Sequence, residues 1–249
     1  MSKQRFNIDN IAISATNLSD ALSQIDEAIA NNKTGYICVT NSRTTYLANH
    51  DKEYCQIQNN SLLTVPDGAP LVWIAHLKGF KEVTKVSGKD LMHSVFSNYQ
   101  NSYSHFFFGG KPQTEKKLKY ALLHLYPKLK IKTIVSPPIQ PLEEFNIEAL
   151  AQQINVLNPT FFWCGLGAPK QEKLIALLQP KLNNTICVGV GAAFDYYGGT
   201  LKRAPSFMRN LGLEWIYRVF QNPRKAKRFI IPFFSMLFRL INESLRKLI

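Results

Sequence analysis

Acidic residues are scarce in this chain: 17 Asp and Glu stand against 30 Lys and Arg in 249 residues, for a formal charge of +13. The four cysteines, Cys38, Cys55, Cys164 and Cys187, are scattered singly, and three of them lie in apolar runs. That leaves neither a disulfide framework nor a zinc site. No Asp-x-Asp occurs, so the carboxylate pair that commonly holds Mg²⁺ or Mn²⁺ against a nucleotide diphosphate is missing. The five histidines (His50, His76, His93, His105, His124) show no Ser/His/Asp or Cys/His spacing, which leaves triad hydrolases without support. Long apolar runs are lacking too. The stretch 229–238 is half of what a bilayer-spanning helix needs. The first ten residues carry Lys3 and Arg5 and then turn polar and acidic, without the apolar centre of a secretory signal. The expectation is a chain that stays in the cytosol and does not cross a membrane. At 45% hydrophobic it has an ordinary core content, which excludes a disordered tail protein.

What is present is a regular alternation. Short β-branched or aromatic runs at 35–39, 62–65, 104–108, 131–135, 160–164 and 185–190 predict strands. Helical periods fill the gaps at 20–30 (capped by Ser19), 44–58, 69–78, 89–99, 113–126, 143–157 and 170–178. Strand and helix repeated this often predict a Rossmann-like α/β sandwich with a mainly parallel sheet covered on both faces. Ligands of such sheets sit at the carboxyl ends of the strands, so the segments after each strand are the places to seek chemistry.

Two of those segments are glycine turns that enter helices, Gly165-Leu166-Gly167-Ala168-Pro169-Lys170-Gln171 and Gly189-Val190-Gly191-Ala192-Ala193-Phe194. Each lacks the third glycine and the later acidic residue of a dinucleotide fingerprint. Either alone could be a tight turn. At successive strand ends they make a nucleotide-diphosphate or sugar site plausible, with their amides approaching phosphate. Asp67, in Pro66-Asp67-Gly68, closes a short apolar strand; an Asp-Gly turn or helix cap is the plain reading, and a general base at a strand end is the functional one.

The expected domain organisation is a sandwich over 1–200 and a basic helical C-terminal appendage over 201–249. From residue 202 onward, eleven basic residues face Glu214 and Glu243, which places nine of the thirteen net positive charges there. Helical spacing lines up Ser235, Arg239, Asn242 and Arg246, while Leu237, Phe238, Leu240, Ile241, Leu245 and Leu248 cover the remainder. A helix docked on its own core is one reading. A helix lying in a membrane interface, with its arginines near lipid phosphates, is the other, and the density of Phe beside the basic run 224–228 favours it.

Eight ordered blocks then become recognisable. Asn41, Pro66-Asp67-Gly68, Gly88-Lys89-Asp90-Leu91, the turn from Gly165 to Glu172, the turn from Gly189 to Asp195, Gly199, Arg203-Ala204-Pro205 and Leu213-Glu214-Trp215-Ile216-Tyr217-Arg218 together resemble the WecG/TagA/CpsF family of bacterial glycosyltransferases. The resemblance implies inverting, metal-independent transfer of a sugar (N-acetylmannosamine, glucose or a uronate) from a UDP-sugar to a polyprenyl-diphosphate-linked saccharide in cell-surface polysaccharide synthesis. It implies no cofactor and a peripheral position on the cytoplasmic face of the membrane, and it is compatible with a homo-oligomer. By position, Asp67 matches the catalytic base. Asn41 with its neighbour Thr40, Gly165, Gly167, Gln171, Gly191 and Asp195 match the substrate pocket. Lys85, Arg203, Arg218, Arg224 and Arg228 match basic groups that meet phosphate. Two positions depart from the pattern: Val39 stands where the family often has Thr, and Lys85 stands where Arg is common, a point charge in place of a bidentate fork. Rival readings are a UDP-binding scaffold that has lost turnover, and a basic nucleic-acid-binding protein, for which no binding motif accompanies the charge.

Overall fold

In the computed structural model, which describes residues 4–111 and 114–246, the chain opens with a hairpin, β1 (Arg5–Ile8) and β2 (Ile11–Ser14). It precedes the first of the expected strands. Its two-residue turn places Asp9 at φ 51°, the left-handed geometry that such tight turns require. Helix α1 (Leu18–Ala30) follows, capped by Asn17, whose side chain accepts from the Asp20 amide. The expected cap, Ser19, lies inside the helix.

After α1 come β3 (Gly35–Thr40), α2 (Ser42–Ala48), α3 (Lys52–Asn59), β4 (Leu63–Pro66), α4 (Ala69–Leu77), α5 (Gly88–Tyr99) and β5 (Ser104–Gly109). They are followed by α6 (Glu115–Leu125), β6 (Lys130–Val135), α7 (Ile147–Leu157), β7 (Phe161–Gly165), α8 (Lys170–Leu178), β8 (Ile186–Gly189) and α9 (Ala193–Tyr197). The single helix expected at 44–58 is two. Asp51 adopts extended backbone and caps α3 through the Tyr54 amide, which ends one helix and starts another. The helix expected from 143 begins at Ile147 behind an Asn146 cap, with Leu142–Glu144 forming a separate 3₁₀ turn. Gln113, the expected start of α6, lies outside the described residues.

Strands β3 to β8 form one parallel sheet in the order β4-β3-β8-β7-β5-β6. Period-two alternation gives the sheet two apolar faces. Ile37, Val39, Val65, Phe107, Trp163 and Val188 pack under α1, α5, α6 and α9; Tyr36, Cys38, Phe106, Phe108, Cys164 and Cys187 pack under α7 and α8, joined by Ile57 of α3. The chain thus leaves β3 toward one face and its neighbour β8 toward the other. That divergence opens a crevice at their carboxyl ends, the place where such sheets take ligands.

Residues beyond 201 add α10 (Ser206–Asn210), α11 (Glu214–Gln221) and α12 (Lys227–Arg246). Pro205 and Pro223 stand at element starts, whereas Pro232 lies inside α12. Helix α12 packs against α2 and α4 and inserts Met236, 1% exposed, into a third core shared with Phe6, Ile11, Tyr54 and Leu71. Within the polar stripe, Arg239 ion-pairs with Asp9 of the hairpin turn and donates to the carbonyl and hydroxyl oxygens of Ser235, while Asn242 is exposed. An outward apolar stripe is formed by Ile231, Phe234, Phe238, Ile241 and Leu245, between 47% and 65% exposed. Among the described residues no helix is long and apolar enough to cross a membrane.

Candidate active site

The crevice between β3 and β8 deepens into a cavity of about 700 Å³, floored by the strand ends and roofed by α10–α12. Asp67 directly follows β4. Its amide donates to the Thr40 carbonyl at 2.6 Å, which extends the parallel pairing by one residue and fixes where its carboxyl projects. Lys85 Nζ stands 4.0 Å from Asp67 Oδ1 and 3.4 Å from Oε2 of Glu214, the first residue of α11. Burial raises the Asp67 carboxyl to about 6; Lys85 and Arg218 pull it down and Glu214 and Asp90 push it up. A carboxyl poised there holds and releases a proton near neutrality, as a general base must.

Beside it, a buried polar chain runs under the floor. Thr40 Oγ1 donates to Gln58 Oε1 and Gln58 Nε2 donates to the Tyr54 hydroxyl at 2.8 Å. Tyr54 lies in the field of the Glu172 carboxyl, whose Oε1 accepts from Gln171 Nε2 at 2.7 Å while its Oε2 is buried without a hydrogen-bond partner. Gln171 Oε1 accepts from two main-chain amides, Gly167 at 3.1 Å and Gly191 at 2.9 Å. Gln171 therefore clasps the two glycine turns together. Those two amides are spent on a side chain of the protein, although Gly165, Gly167, Gln171 and Gly191 all line the cavity. Gly189 is what lets the Gln171 amide in, since a Cβ there would come within 2.9 Å of its Nε2. Gly165 likewise serves packing, because a Cβ on it would meet the Phe194 ring at 2.6 Å. Burial raises the Glu172 carboxyl to about 7, against the lowering effect of Gln171 and Tyr54.

The other expected residues divide by what they touch. Asn41 lines the cavity while its side-chain oxygen caps α2 through the amides of Arg43 and Thr44. Thr40 is fully buried and its hydroxyl belongs to the chain under the floor, so it does not line the cavity. Asp195 lines the cavity and accepts from Thr200 Oγ1 at 2.8 Å. Arg203 lines the wall but is held by Asp90 at 2.7 and 2.8 Å and by the Ser87 hydroxyl at 3.0 Å. Arg218 is held by Glu214 at 2.8 Å and by the Tyr196 hydroxyl. Both arginines carry partners in place of an open fork. Arg224 is exposed and outside the cavity lining, whereas Arg228 reaches into it beside Gly167.

Residues that carried no expected role complete the site. Arg43, two positions beyond Asn41, faces Arg228 across the opening, and burial together with that like charge lowers the Arg43 guanidinium to about 10. Among the described residues neither arginine is in ion-pair contact with a carboxylate. Lys89 lies over the Tyr196 and Tyr197 rings at 5.8 and 5.4 Å, and Arg209 lines the roof with its Nε buried and unpaired. Such cations set around a polar cavity suit a polyanionic ligand.

The sequence profile of the Glycosyl transferase WecG/TagA/CpsF family matches residues 6–248, nearly the whole chain. The chain belongs to this family. Among the relatives of this glycosyltransferase is the N-acetylglucosaminyldiphosphoundecaprenol N-acetyl-beta-D-mannosaminyltransferase of Bacillus subtilis (strain 168), 28% identical over 232 residues that cover 92% of this chain and 89% of that protein. Proteins of the same name from Staphylococcus aureus (strain MW2) and Bacillus spizizenii (strain ATCC 23059 / NRRL B-14472 / W23) are 25% and 26% identical; they cover 93% and 80% of this chain and 91% and 76% of their own lengths. Family membership agrees with the resemblance of the ordered blocks. In the sequence Arg43 stands only in the segment after a strand, and Lys89 only at a helix start within one of the ordered blocks. A cation in the segment that leaves a strand, as Arg43 does three residues past the end of β3, is a signal that could have singled it out.

Proposed function

We propose that this glycosyltransferase moves an N-acetylmannosaminyl group from a UDP-linked donor onto the N-acetylglucosamine of a polyprenyl-diphosphate-linked acceptor, with inversion. The observation that carries the reading is Asp67, a carboxyl raised toward neutrality at a strand end and facing a cavity rimmed by cations. The β-linkage in the relatives' names fits an α-linked nucleotide sugar attacked from its opposite face. In that displacement the acceptor hydroxyl oxygen bonds to the anomeric carbon and its proton passes to Asp67. The bond from the anomeric carbon to the phosphate oxygen breaks, and UDP leaves with the electron pair. Arg43, Arg228 and Lys89 would meet the charge that develops on the diphosphate.

The same reading places the enzyme at a membrane surface, where a polyprenyl acceptor resides. The outward stripe of α12, from Ile231 to Leu245, would lie at the acyl boundary, with exposed Arg224, Lys225 and Lys227 nearby for anionic headgroups. In this reading the residues before 200 supply Asp67, Arg43 and Lys89, and those after it supply Arg228 and the lipid-facing stripe. The test is incubation with UDP-N-acetylmannosamine, UDP-glucose and UDP-glucuronate against a short-chain prenyl-diphosphate N-acetylglucosamine, with mass spectrometry of the lipid product. A disaccharide lipid from the first donor is expected; no product from any donor would overturn the reading. Sedimentation with anionic vesicles is expected at low salt, and its absence at every salt would remove the membrane role.

A further inference from the structure

Two carboxylates compete for one ammonium beside the base. Lys85, on the segment that links α4 to α5, lies 0.6 Å nearer to Glu214 than to Asp67, at 3.4 Å against 4.0 Å. The Glu214 carboxylate is held in a fixed attitude. Its Oε1 accepts from Arg218 Nη2 at 2.8 Å, from Arg218 Nε at 3.1 Å and from the Tyr196 hydroxyl at 3.4 Å. Oε2 is thereby turned to Lys85. The other acid nearby, Asp90, is taken by Arg203 and Ser87 and offers Lys85 no comparable site.

We propose that Glu214 is a positioning residue for the transfer: by drawing Lys85 away from Asp67, it keeps an Asp67 oxygen open to the acceptor hydroxyl and leaves that carboxylate basic enough to take the proton. The inference rests on the reading of Asp67 as the base. Were Glu214 uncharged, Lys85 would have Asp67 as its remaining close anion. The closer pair would cover the oxygen that has to accept, and a carboxylate beside an ammonium is a weaker base. The groups that face Asp67 act in both directions. Lys85, Arg218 and Arg203 favour its ionised form, Glu214 and Asp90 disfavour it, and the Tyr196 hydroxyl stands in the same field. Of these, Glu214 both repels the Asp67 charge and holds the lysine that would otherwise mask it.

Glu214→Gln tests this, because the amide oxygen can still receive Arg218 while the charge is gone. The measurement is kcat/KM against pH for the full-length protein, with UDP-N-acetylmannosamine and a short-chain prenyl-diphosphate N-acetylglucosamine. A carbon-13 NMR titration of the Asp67 carboxyl is run alongside. The acid limb and the titration should both move roughly one pH unit lower in Glu214→Gln, kcat should fall about tenfold with less change in KM, and Lys85→Met should move the limb the other way. Glu214→Asp should return the limb part of the way. A Glu214→Gln protein that melts like the wild type and leaves both limb and titration in place overturns the proposal, as a merely structural contact would. If that variant does not turn over at all, the titration decides alone. Failure of the underlying reading looks different: Asp67→Asn would then keep turnover and the acid limb.

Discussion

On the floor of the cavity, polar groups are spent on one another: Gln171 takes the amides of both glycine turns, Glu172 holds Gln171, and Thr40 closes the chain through Gln58 and Tyr54. On the roof and rim, Arg228, Arg43 and Arg209 are left open, and like charges face each other across the opening. Closely paired buried groups are rigid, even with Glu172 Oε2 left without a hydrogen-bond partner, and open cations are unstable until an anion arrives. The floor therefore sets geometry, and the rim supplies charge. A glycine turn in a Rossmann-like sheet is often taken as a phosphate cradle, but here a glutamine takes one amide from each turn.

The strongest way to break this division is at the floor's one reactive group. Asp67→Asn preserves shape and should lower kcat by roughly 10²–10⁴, measured with saturating substrates; activity within a few-fold of wild type would mean that the floor supplies no chemistry. Met236→Ala probes the attachment of the roof. A methionine this buried should cost about 2–4 kcal/mol in denaturant unfolding, because α12 loses its anchor in the third core. Arg43→Gln tests the rim: loss of one charge-assisted contact should raise the donor's KM about tenfold with kcat less affected, and the melting temperature should hold or rise, since Arg228 loses a like-charged neighbour.

Glu172→Gln asks how much the floor's rigidity owes to charge. The Glu172 carboxyl is raised to about 7 from an ordinary 4.5, so its favourable contribution is complete below pH 4.5 and is lost as the pH climbs through 7. Thermal melts should show the variant more stable than wild type above pH 7, by on the order of 2 kcal/mol, with the gap closing toward pH 4.5. Phe238→Ser is the mildest. The side chain is 65% exposed, so stability should change by less than about 0.5 kcal/mol, while sedimentation with anionic vesicles weakens.

The sheet was legible because alternation such as Tyr36-Ile37-Cys38-Val39 is a local property, and Asp67 was legible because a strand end is too. The hairpin escaped because two four-residue strands around Asp9 and Asn10 leave almost no period to read. The break between α2 and α3 was missed although Asp51 is a good cap, since the apolar period runs on through it. Partnerships were beyond reach. Arg203 has the composition of a phosphate ligand, but its fork is claimed by Asp90, 113 residues earlier, and Gln171 bonds a turn that follows the next strand. Which charges stay open depends on which are cancelled in space, and that is decided by topology.

The third core has an uneven history. The hairpin, α2, α3 and α4 that make up most of it come early in the chain, whereas Met236 arrives more than 150 residues after α4 ends. As the chain leaves the ribosome, the parallel sheet has all its strands once β8 has emerged, but Tyr54 and Leu71 wait for a lid that has not been made. Arg239 then ties that late helix to Asp9, near the start of the chain. A truncated product would thus carry an open apolar patch beside a finished sheet, a mark by which proteases and chaperones can tell an interrupted chain from a complete one.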